Sequence, residues 1–105
     1  MSTDALQPYR IELSDQVRTR IFELADAARD RGDGPAFLAA LKGFYHRLRV
    51  YPQFGDPLAD LVRYVGQTRI GIIPPLSMRY GVIEDERLVF VTALPVLMPK
   101  PAAAG

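Results

Sequence analysis

Apolar residues along this chain follow two different periods, and the switch between them divides it into three parts. Residues 9–14, YRIELS, alternate and carry Tyr9 and Ile11, the pattern of a short strand. The spacing then becomes helical: Val17, Ile21, Leu24, Ala25 and Ala28 form one stripe. Ser14 stands where it can cap that helix, with Asp15 complementing the dipole of the first turn. Gly32 ends the helix, and the link RGDGP is short. Pro35 opens a second helix whose stripe is Phe37, Leu41, Phe44 and Leu48, broadened by Leu38 and Tyr45, and Pro52 stops it. Two amphipathic helices joined so tightly pack as an antiparallel hairpin.

Beyond residue 51 the helical period disappears. YPQFGDPLADL (51–61) is a turn-rich connector, followed by strand-like LVRYV and TRIGIIP around a Gly66-Gln67 turn. Pro74-Pro75 breaks the chain before LSMRYGVI, an acidic turn, and RLVFVTAL. The pattern predicts an α+β fold: an N-terminal strand, an antiparallel helical hairpin, then a mostly antiparallel sheet of about four further strands. The expected domain is 9–94, between a mobile tail at 1–8 and another at 95–105, where MPKPAAAG offers nothing to anchor it.

Strand parity then sorts the side chains. Met78, Tyr80 and Val82 share one face of their strand; Ser77, Arg79, Gly81 and Ile83 share the other. In the preceding strand Arg69, Gly71 and Ile73 alternate against Thr68, Ile70 and Ile72. The helices cover one sheet face, so Arg69 and Arg79 are expected together on the other. A two-residue turn at Asp85-Glu86 would set Phe90 opposite Gly81 and Thr92 opposite Arg79. A sheet face holding apolar residues, glycines and arginines is a candidate docking groove, lined by Arg63, Arg69, Arg79 and Phe90.

Composition narrows the chemistry. The 105 residues contain no cysteine, which excludes disulfides, thiolate metal sites and thiol nucleophiles. With 13 basic and 12 acidic residues, bulk charge does not argue for nucleic-acid binding. Yet no acid falls between Asp60 and Glu84, where Arg63, Arg69 and Arg79 lie. MSTDALQPYR lacks the apolar core of a secretory signal, and no run is long enough to span a membrane, so a soluble cytoplasmic protein is expected. The sole histidine, His46, falls on the exposed side of its helix, and no metal or cofactor is expected. Glu84, Asp85 and Glu86 read as solvated charge at a hairpin tip.

In YRIELSDQVRTRIFEL, LRVYPQFGDPLADL and SMRYGVIEDERLVFVTAL the chain resembles the RelE/ParE superfamily, the toxins of bacterial type II toxin–antitoxin modules. The resemblance covers residues 9–94, and YPQFGDPL is its most distinctive stretch. It implies a toxin or toxin-derived protein neutralised by an antitoxin protein. RelE-like members are ribosome-dependent mRNA endonucleases; ParE-like members are described as poisons of DNA gyrase. On the RNase reading Arg69 and Arg79 would supply phosphate charge and Tyr80 an acid or base. Two departures stand out. The family's strand arginine, three positions before the tyrosine, is Ser77 here, and after Leu94 no Tyr, His or Arg follows. The catalytic set is thus incomplete, which leaves a ParE-like toxin, a RelE-type endonuclease and a non-toxic interaction domain as readings.

Overall fold

The computed structural model describes residues 7–58 and 67–99. It is an α+β fold in which two helices lie against a mostly antiparallel sheet. β1 (Arg10–Glu12) leads into α1 (Asp15–Asp30) and α2 (Gly34–Val50), and a 3-10 turn (Pro52–Phe54) leads into β2 (Asp56–Pro57). Then come β3 (Gln67–Ile73), β4 (Leu76–Ile83), β5 (Leu88–Val91) and β6 (Val96–Leu97). The order across the sheet is β1-β5-β4-β3-β2, with β6 also on β4; β1 runs parallel to β5 and the other pairs are antiparallel. The expected LVRYV strand, Arg63 and Gly66 of the expected turn lie outside the described residues.

The helix ends follow local chemistry. Ser14 Oγ accepts the Val17 N–H at 3.2 Å, capping α1. At the other end Gly32 takes φ +85°, while its N–H reaches Arg29 O and the Asp33 N–H reaches Ala28 O. That pair of bonds is a Schellman closure, which needs a residue at ease in the left-handed region. The core lies between helices and sheet: Leu24 and Ala28 of α1, Phe37, Ala40, Phe44 and Leu48 of α2, and Leu76, Met78, Tyr80 and Val82 of β4 are all buried there. Leu38 and Tyr45, expected to broaden the buried stripe of α2, are instead 53% and 57% exposed.

The β4–β5 register agrees with the sequence reading: Gly81 pairs with Phe90, and the Thr92 N–H reaches Arg79 O. The β3 register does not. Pro74 and Pro75 form the whole turn, so Ile73 pairs with Leu76, Arg69 with Tyr80 and Ile70 with Arg79. Paired residues of an antiparallel ladder share a face. Arg69 therefore lies on the helix side with Tyr80, and Arg79 on the helix-free side with Ile70. The expectation that the two arginines share a face is wrong by one step of parity.

The C-terminal boundary also moves. Val91 pairs with Tyr80, and Val96 with Ser77, so the strand gains two residues against β4 in a bulge. Pro95 is buried in that bulge, where a missing N–H costs no ladder bond. Arg31 Nη2 donates to Met98 O at 2.8 Å and the Met98 N–H to Pro75 O at 2.6 Å. With Arg20 Nε of α1 donating to Pro95 O at 3.4 Å, residues 95–99, read as the start of a tail, are thus bonded to α1, to Arg31 just past its end and to the β3–β4 turn.

Candidate functional site

The residues that sequence reasoning put forward fall into two places. Arg69 and Tyr80 face each other across β3 and β4, on the helix side. Both bind the 3-10 turn: Arg69 Nη1 donates to Gln53 O at 2.9 Å and Gly55 O at 2.5 Å, and Tyr80 Oη donates to Pro52 O at 2.5 Å. The Gly55 N–H in turn donates to Tyr80 Oη at 3.1 Å. Burial pushes the Tyr80 phenol above its ordinary pKa, against the opposing pull of the Gly55 N–H and the Arg69 charge. A buried phenol bonded on both sides to backbone is a brace, and a poor proton shuttle.

Arg79 is exposed on the opposite face, and its side chain makes no hydrogen bond or ion pair to another described residue. It lines a shallow cleft with Ile70, Ile72, Ser77, Leu94 and Val96. Phe90 shares this face but lies down over Gly81, where an added Cβ would sit 2.5 Å from Phe90 Cζ. Arg69, Arg79 and Tyr80 therefore do not converge on one point.

A second polar cluster escaped the sequence reading. Tyr9 Oη donates to Glu84 Oε1 at 2.7 Å, and Gln53 Nε2 donates to Glu84 Oε2 at 2.6 Å and to Tyr9 Oη at 3.2 Å. The Arg87 guanidinium lies 4.3 Å from the Tyr9 ring centre. The Gln53 and Tyr9 bonds hold the Glu84 carboxyl below the usual carboxylate range, with Arg87 and Arg69 adding to the effect. Burial, then the Glu84 hydrogen bond, raises Tyr9. Glu84, exposed like Asp85 and Glu86, is thus also a tie between the hairpin tip, the chain entering β1 and the 3-10 turn. No alternation or spacing in the sequence links residues so far apart.

A larger cleft lies elsewhere, between the helices and the β1 edge. It encloses about 580 Å³ and is walled by Ile11 and Leu13, by Ile21 and Phe22 of α1, and by Leu41, Phe44, Tyr45 and Leu48 of α2, over Met78. Among the described residues its charged lining residues are Arg18 and Lys42. Phe22 is 74% exposed beside it. A large aromatic one position off the α1 stripe was the signal for this surface, as was Tyr45, read instead as core. His46 is exposed, and no group of His, Asp or Glu among the described residues could hold a metal. No helix among them is long and apolar enough to cross a membrane.

No family model, curated protein or solved structure matches the chain. The class shown is an α+β domain with an apolar cleft between its helical hairpin and a sheet edge.

Proposed function

We propose that the chain is a toxin or toxin-derived component of a type II toxin–antitoxin module, of ParE-like or degenerate RelE/ParE type, held by an antitoxin segment in the α1–α2 cleft. The observation that carries this reading is the cleft itself. It is apolar, it leaves Phe22 and Tyr45 standing in solvent, and both of its charges are positive. A partner helix with apolar anchors and flanking carboxylates complements it. The element order adds support through the resemblance described above. The endonuclease reading gains no support from the geometry, because Arg69 and Tyr80 are committed to the 3-10 turn and Arg79 lies behind the sheet.

Tightly controlled induction in a bacterium, with pulse-labelling of DNA and protein synthesis, tests the reading. Early loss of DNA synthesis is expected, relieved by co-expression of the product of the neighbouring reading frame. The folded Phe22→Glu/Lys42→Glu variant should escape that relief. Undisturbed growth would sink the toxin reading; relief unchanged by the double substitution would sink the cleft as the binding site.

A further inference from the structure

Lys42, Tyr45, His46 and Arg49 stand three and four residues apart on α2, and all but the half-buried Arg49 are exposed. Such spacing stacks them along one line of the helix, about 10 Å long at the helical rise. Arg49 Nη1 donates to Tyr45 Oη at 3.0 Å, and its guanidinium carbon lies 5.5 Å from the Tyr45 ring centre. Cation and ring are therefore held along the helix. Arg18 of α1 lines the cleft that Lys42 also lines, adding a further positive charge nearby. No carboxylate occurs anywhere from Gly34 to Gly55, although the whole chain balances 13 bases against 12 acids. Near-neutral bulk charge hides a cationic face.

We propose that this face of α2 binds the phosphodiester backbone of a single-stranded nucleic acid. Cations along an open line with an aromatic ring between them match such a strand: phosphates meet the cations while a base finds the ring. A line this short follows a few nucleotides of one strand. An anionic membrane fits less well, because it needs apolar side chains beneath the cations. On α2 Phe37, Ala40, Phe44 and Leu48 are buried in the core, and the exposed Leu38 and Val50 stand near opposite ends of the helix. Lys42 and Tyr45 are shared with the wall of the apolar cleft, whereas His46 and Arg49 lie outside it, so Arg49→Glu is the substitution that tests this face apart from the cleft.

Fluorescence anisotropy of the whole chain with labelled single-stranded RNA and DNA of one sequence, about 20 nucleotides long, tests this. Binding should weaken as salt rises, with a log–log slope near −2 for about three contacts at roughly 0.7 each. Lys42→Glu and Arg49→Glu should each weaken binding by about fivefold or more and flatten the slope by about one contact. Arg49→Lys should retain binding. Arg29→Glu makes an equal charge change on the exposed face of α1 and should stay within about twofold of the native chain. Circular dichroism checks that each variant is folded. Absence of binding at low salt would overturn the proposal, as would an equal loss in Arg29→Glu, which would mean net charge alone. Equal competition by polyglutamate would replace it with an acidic polypeptide partner, and binding to anionic vesicles without oligonucleotide binding would replace it with a lipid surface.

Discussion

Arg69 stands directly opposite Tyr80 on β3 and β4, and both side chains hold the same 3-10 turn. A pairing that looks catalytic in the sequence is a brace between the end of α2 and the sheet. It fixes where the chain enters β2, and with it one border of the helix-covered face. Its energetic weight is open to measurement.

Tyr80→Phe should lower the urea midpoint with an unchanged m-value. The substitution keeps the ring in place but leaves Pro52 O and the Gly55 N–H without their partner. Unsatisfied buried groups cost about 1–3 kcal/mol. A loss below about 0.5 kcal/mol would mean that water replaces the phenol and that the turn is held by Arg69 alone.

Gly81→Ala should destabilise by about 1–3 kcal/mol, the usual penalty for overpacking. The new methyl would fall within 2.5 Å of Phe90 Cζ, so the ring must leave the strand surface. Combining it with Phe90→Leu should cost less than the two single changes added together. Strict additivity would show that Phe90 does not lie on Gly81.

This pair also shows how much was legible in the sequence. Phe90 opposite Gly81 followed from a two-residue turn and strand alternation. The two helices followed from their stripes, Ser14 and Gly32. The β3 register did not follow, because it rests on whether Pro74-Pro75 forms the turn or merely precedes it. That single step sends Arg69 to the other face. β6 was hidden because Pro95 suggests a stop, while the bulge that accommodates it arises only from pairing with β4. The cleft was hidden because it depends on how two helices and β1 sit together. Tyr45 is apolar enough to count as core in the sequence, yet it stands at the cleft wall.

Glu84→Gln should destabilise the protein near pH 7 and matter progressively less in acid. The folded pKa of Glu84 is depressed, chiefly by the Gln53 and Tyr9 bonds. Its contribution is therefore present above the unfolded carboxyl value of about 4.3 and is lost as pH falls through the lower folded value. Urea midpoints of the native chain and the variant should converge on acidification below about pH 5. A gap that stays constant from pH 7 into acid would mean that the charge of Glu84 is not what ties Tyr9 to Gln53.

Arg69→Ala and Arg79→Ala should separate cleanly, since the two side chains lie on opposite faces with opposite degrees of engagement. Arg69 gives charge-assisted bonds to Gln53 O and Gly55 O, and such bonds are worth about 1.5–3 kcal/mol each. Arg79 is exposed and makes no such bond to a described residue, so its loss should fall within about 0.5 kcal/mol of neutral. Chemical denaturation of the two variants decides it. Equal effects would point back to a shared environment for the two arginines and to a β3 register shifted by one residue. Unequal effects in the expected direction leave Arg79 as the one of the two free to meet a partner without weakening the fold.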